Sequence, residues 1–93
     1  MKEGERIELH QVICTRYSTH ERIIHNEENR TYHRYLMRDS HNQLYVYSGV
    51  SLGVAMGDTF NIKATVKRFE TKYRCIRLAR VIVTSRGIER LLI

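Results

Sequence analysis

Between Glu5 and Tyr17 apolar and polar positions alternate, with Ile7, Leu9 and Ile13 on one side and Arg6, Glu8, His10 and Arg16 on the other. A period of two is the mark of a strand with one buried face. From Ser18 to Asn29 that period is lost, and Glu21, His25, Glu27 and Glu28 surround a lone Ile23-Ile24 pair; the stretch reads as a long excursion between strands. Arg30 to Arg38 and Gln43 to Ser48 are rich in Tyr and β-preferring residues and flank the turn-forming cluster Asp39-Ser40-His41-Asn42, which predicts a hairpin. A mid-chain cluster of Gly49, Gly53 and Gly57 then precedes a second alternation, in which Phe60, Ile62, Ala64 and Val66 face away from Thr59, Asn61, Lys63, Thr65 and Lys67. After a turn at Glu70-Thr71-Lys72, Ile76 and Leu78 hold one parity while Val81 and Val83 hold the other. A β-bulge near Ala79-Arg80 accounts for that switch. Ile88 to Ile93 fits either a short helix or a closing strand.

The register of the first hairpin decides which side chains meet. With a connection of two or four residues, Tyr35 and Met37 share a face with Leu44 and Val46, and Arg34 and Arg38 share the other with Tyr45 and Tyr47. A three-residue connection mixes the sets and buries arginines with the aliphatics. One slip moves every side chain across the sheet, so the segregated register is expected, and with it a cationic, aromatic outer face.

Ninety-three residues suit one domain, spanning 1–93, with too little chain for a second core. There is no proline and no repeat. No run approaches the roughly 18 apolar residues that cross a bilayer, and the tail Leu91-Leu92-Ile93 is far too short. Cys14 and Cys75 stand far apart without a Cys-x-x-Cys, and the chain opens without an apolar signal segment; buried free thiols in a reducing cytoplasm are expected. Charge sharpens the picture, because 16 Lys and Arg oppose 10 Asp and Glu, for a net charge of +6. Most of the cations are arginines, whose planar fork suits phosphate and stacks on bases.

The order strand, long loop, hairpin, short connector, hairpin is that of the oligonucleotide-binding (OB) fold, an all-β, five-stranded Greek-key barrel. The string from Gly57-Asp58 through Phe69, followed by Tyr73 to Val81, resembles the fourth and fifth strands of OB-fold modules in phage and mobile-element DNA-replication proteins, where a Gly-Asp pair begins strand four. The Tyr-rich hairpin around Asp39-Ser40-His41-Asn42 is similar to their second and third strands, and Val50 to Met56 forms a short connector where such modules usually carry a helix. An SH3-like or other small barrel is the alternative architecture. The resemblance implies that single strands lie across strands two and three, framed by the loop after strand one and the last hairpin. Tyr45 and Tyr47 would then stack bases, Arg34 and Arg38 would hold phosphates, and Lys67, Lys72 and Arg74 would clamp the backbone, with Lys63 and Arg77 completing the basic set. The expected partner is single-stranded DNA or RNA, without enzymatic activity or cofactor, in a replication or recombination accessory role.

Two other classes compete. A small barrel can serve as a protein-interaction module, docking on a partner or assembling with itself. A nuclease would draw on His20, His25 and Glu21, but nothing in the sequence orients them as acid and base. The remaining histidines, His10, His33 and His41, show no ligand spacing: His10 and Cys14 share a parity yet lie roughly 13 Å apart along a strand, too far for one zinc.

Overall fold

The computed structural model describes residues 1–22 and 30–86. Five strands, β1 (Arg6–Arg22), β2 (Arg30–Arg38), β3 (Leu44–Gly49), β4 (Thr59–Glu70) and β5 (Cys75–Arg86), close into a barrel in the order β1-β2-β3-β5-β4. Neighbours are antiparallel except β3 and β5, which run parallel. The all-β barrel expected from the alternation is therefore present, and its strand order is compatible with an OB-like fold. The core is built from the inward side chains of all five strands, among them Val12, Met37, Phe60, Ile62, Val66 and Leu78. Val54, in the connector after β3, is also buried in it.

Several register shifts interrupt the ladders, and two of them, each carrying a left-handed residue, set which residues face inward on β5 and early β1. At Arg80, φ is +52° and the β4–β5 register steps from Lys63 opposite Ile82 to Thr65 opposite Ala79. Ile76 and Leu78 before the step and Val81 after it all reach the core, as the parity switch in the sequence predicts. The second bulge was not foreseen. Gln11 has φ of +54°, and the β1–β4 register shifts between Leu9 and Val12. Its N–H, displaced from the ladder, donates to Asn61 Oδ1 at 2.7 Å. Beyond it Val12 and Cys14 face inward, and Ile13, expected beside Ile7 and Leu9, is turned outward.

The expected excursion from Ser18 is also corrected, because β1 continues to Arg22 and pairs with β2 as far as Arg22 opposite Arg30. Cross-strand rings support this polar extension: Tyr17 stacks on His33 and His20 on Tyr32, with centroids 5.9 and 5.6 Å apart. The rest of that stretch, residues 23–29, and the segment Ile88 to Ile93 lie outside the described residues.

The hairpin register differs from expectation as well. Arg38 pairs with Leu44, so the loop is the five residues Asp39 to Gln43, and Tyr35 and Met37 oppose Tyr47 and Tyr45. Tyr45 and Tyr47, expected on the outer face, are buried in the core. The physical reason is that the barrel supplies partners for the hydroxyls of Tyr45, Tyr17 and Tyr35, and a stacked ring for Tyr47. Tyr45 donates to Asp39 Oδ2 at 2.9 Å, Tyr17 is 2.6 Å from His33 Nδ1, and Tyr35 accepts the Leu52 N–H at 2.8 Å. Tyr17, Tyr35 and Tyr47 form a file of rings, with successive centroids 4.9 and 6.4 Å apart. Val46, displaced to the outer side between Leu36 and Arg77, is covered by its neighbours and only 2 % exposed. β3 is consequently buried on both faces.

Candidate nucleic-acid interface

The outer surface of β1 and β2 follows from the same register. Arg16 lies opposite Leu36, Ser18 opposite Arg34, and His20 opposite Tyr32. Arg38 continues the row on β2. Arg16, Ser18, Arg34 and Leu36 line a depression of about 330 Å³. Arg16, Arg34 and Arg38 are exposed, and no carboxylate pairs with any of them among the described residues. Three uncompensated guanidinium groups on one face create a positive field suited to a polyanion.

Arg77 sits on the same side, opposite Val46, but is already engaged: its Nε donates to Glu70 Oε1 at 2.7 Å, and Arg68 Nε donates to the same oxygen at 3.2 Å. The Arg77 hydrogen bond, aided by Arg68, outweighs desolvation and holds the Glu70 carboxyl below its ordinary range. Cys75 is pushed up, chiefly by burial and then by the Glu70 charge.

At one end of this face lies the β4–β5 turn. Thr71–Tyr73 form a single 3-10 turn that ends on Arg74 in a left-handed conformation. The Arg74 carbonyl accepts Gln43 Nε2 at 3.1 Å, which ties the turn to the hairpin loop. Asp39 organises that loop by accepting the N–H groups of His41 and Gln43 at 2.8 and 3.0 Å. Exposed Lys72 and Arg74 therefore border the β2–β3 hairpin. The turn also exposes Phe69 and Tyr73, at 40 % and 65 %, and Lys72 Nζ lies 5.6 Å from the Tyr73 ring centroid.

Of the residues singled out in the sequence, the structure brings Arg34, Arg38 and Arg77 onto one surface, with Lys72 and Arg74 at its edge. Lys67 is exposed on β4 and shares a separate cavity with Arg77. Lys63 is not brought there: it lies on β4 facing β1, where its Nζ is 3.5 Å from Glu8 Oε1. Tyr45 and Tyr47 are interior and offer no ring face to a base. The aromatic surface is supplied instead by Tyr32 and His20, and by Phe69 and Tyr73. Tyr32 shares its parity with Arg34 and Arg38, so the alternation alone held the signal for it; Phe69 and Tyr73 flank the turn expected at Glu70-Thr71-Lys72, and only the fold shows that both rings stay exposed.

Among the described residues no group of three His, Cys, Asp or Glu side chains is arranged to hold a metal ion. None of their helices is long and apolar enough to cross a membrane. Both cysteines are free and buried. His20 is stacked on Tyr32, while His25 lies outside the described residues. Comparison with models of protein families, with curated proteins and with solved structures found no match.

Proposed function

We propose that this protein binds single-stranded nucleic acid, DNA foremost, as a non-enzymatic accessory to replication or recombination in the cytoplasm. The observation that carries the reading is the row Arg16, Arg34 and Arg38, exposed and unpaired with any carboxylate among the described residues. Guanidinium groups in a row can follow a phosphate backbone, and aromatic rings at both ends of the row offer stacking surfaces. A stacked base contributes roughly 1–3 kcal/mol. Two such bases with three phosphate contacts are sufficient for a dissociation constant on the order of micromolar, or about −8 kcal/mol. The OB-like barrel supports the same reading, since phage and mobile-element modules with that pattern bind single strands.

The test is fluorescence anisotropy with labelled oligomers of about 20 nucleotides, longer than the ~4–16 that one such barrel covers. Single-stranded DNA, single-stranded RNA and duplex DNA are compared at two salt concentrations. Salt-sensitive binding that prefers single strands is expected, and the two single strands separate DNA from RNA. Absence of binding to all three at about 50 μM protein, far beyond what the stacking term requires, overturns the proposal and leaves the face to a protein partner or a second copy.

A further inference from the structure

The strand register leaves an opening in the barrel wall. β3 pairs with β5 only over Leu44 to Tyr47 against Cys75 to Leu78, and beyond Leu78 β5 pairs with β4 alone among the described residues. β2 meanwhile extends past its last β3 contact, His33 opposite Gly49, back to Arg30. A cavity of about 470 Å³ occupies this opening, and all five strands line it, including His20, Tyr32, Ser48, Lys67, Arg77 and Arg80. Its size falls in the range of small-ligand sites, roughly 300–1,000 Å³. Three of its lining side chains are cations and none is a carboxylate; Arg77 is paired with Glu70 at 2.7 Å, and Lys67 and Arg80 pair with no carboxylate among the described residues. The parallel ring pair of Tyr32 and His20 forms part of the wall.

Arg80 is a second, independent observation. It sits at the β5 bulge with φ of +52°, a left-handed conformation that costs an ordinary side chain energy and that Gly or Asn would adopt more readily. The bulge is secured from the far side, where Arg6 Nη1 donates to the Arg80 carbonyl at 2.6 Å and to Thr65 Oγ1 at 3.1 Å. Bulges commonly re-aim a side chain beside a functional site. Here the strained residue carries one of the three charges around the cavity.

We propose that this cavity is a phosphate subsite that receives the phosphate of a nucleotide, with Lys67 and Arg80 around its oxygens, Arg77 at its edge while Glu70 holds its Nε, Ser48 as a hydroxyl partner and the Tyr32–His20 pair beside the attached base. The inference rests on the single-strand reading and adds an anchoring point distinct from the arginine row. The same chemistry would accept a phosphate within a strand or that of a free mononucleotide.

Two titrations test it. In the first, amide resonances of Ser48 and Ala79 are followed by NMR while thymidine 5′-monophosphate, inorganic phosphate or thymidine is added. The two phosphates shift them and thymidine does not. In the second, single-stranded DNA is titrated into wild type and the Lys67→Gln/Arg80→Asn double variant. Asn tolerates the left-handed backbone, so the variant keeps the wild-type melting temperature or exceeds it. Its affinity falls by roughly tenfold or more, and the salt slope of log K shrinks by about 1.4, the value for two lost phosphate contacts. Shifts with the mononucleotide and weakened strand binding assign the subsite to the strand; shifts with unchanged strand binding assign it to free nucleotides. Neither shifts nor weakened strand binding, while wild type still binds single strands, overturns the subsite and leaves the arginine row standing. If wild type binds no strand, the single-strand reading fails and the mononucleotide titration alone decides the cavity.

Discussion

Tyr45→Phe separates the interior placement of this ring from an exposed one. Tyr45 is 2 % exposed, and its hydroxyl donates to Asp39 Oδ2 at 2.9 Å. Phenylalanine preserves the packing, so the loss is one hydrogen bond to a charged acceptor, about 1.5–3 kcal/mol. Asp39 retains the N–H groups of His41 and Gln43, and its partly exposed carboxylate can take up water, which places the cost near about 1.5 kcal/mol. At about 4–8 °C per kcal/mol for a domain of this size, the melting temperature at neutral pH falls by about 6–12 °C.

The pH dependence carries a sign. Burial raises the Asp39 carboxyl, but the Tyr45 hydroxyl and the Gln43 and His41 amides outweigh it and hold the group below its ordinary range. A depressed carboxyl stabilises the fold above its unfolded value of about 3.9, and that contribution is lost as pH falls through the folded value. Tyr45 is raised, by burial first and then by Asp39; its contribution is present below the unfolded value of about 10 and is lost as pH rises through the folded one. The gap between wild type and Tyr45→Phe, followed by thermal unfolding in circular dichroism, is therefore widest between these limits and narrows outside both. An unchanged melting temperature, or a gap that stays constant into strong acid, refutes the reasoning. So does loss of nucleic-acid binding without loss of stability, which would place Tyr45 outside.

Other substitutions probe the remaining contacts. Gly49→Ala places a Cβ 2.5 Å from the hydroxyl oxygen of buried Tyr47, and chemical denaturation should register about 1–3 kcal/mol of overpacking; a neutral result would mean that the ring moves freely. Glu70→Gln removes the carboxylate that pairs with Arg77 and Arg68 and frees Arg77, the one of the two on the arginine-row surface, so single-strand affinity rises and the salt slope steepens by about 0.7 for that one contact; weaker binding would contradict the placement. Burial pushes both cysteine thiols up, so a thiol reagent at neutral pH reacts slowly with native protein and rapidly with two groups once it is denatured. A fast native reaction would show a thiol at the surface.

The strand pattern was legible wherever alternation was unbroken, as from Phe60 to Val66, and even the bulge at Arg80 could be read because apolar residues lie on both sides of the parity switch. The bulge at Gln11 could not: Ile13 and Val12 are equally apolar, and only the pairing with β4 shows which one is turned in. The inward placement of Tyr45 and Tyr47 is hidden in the sequence for a related reason. Leu44-Tyr45-Val46-Tyr47 is apolar on both parities, and the pattern alone does not show that Tyr45 finds a hydroxyl partner in Asp39 and Tyr47 a stacking partner in Tyr35. The arginines were easier to place, since an unpaired guanidinium cannot be buried on either register. Arg80 and His20 entered the candidate site only through tertiary structure, because no local pattern connects strand ends distant in sequence.

The salt dependence of single-stranded DNA binding, measured for wild type and for the Arg16→Gln/Arg34→Gln/Arg38→Gln variant, tests the central claim most directly. Loss of three phosphate contacts should reduce the slope of log K against log salt by about 2, with the melting temperature little changed because all three side chains are exposed. A slope and affinity equal to those of wild type would contradict the account, and would show that the arginine row is not where the strand lies.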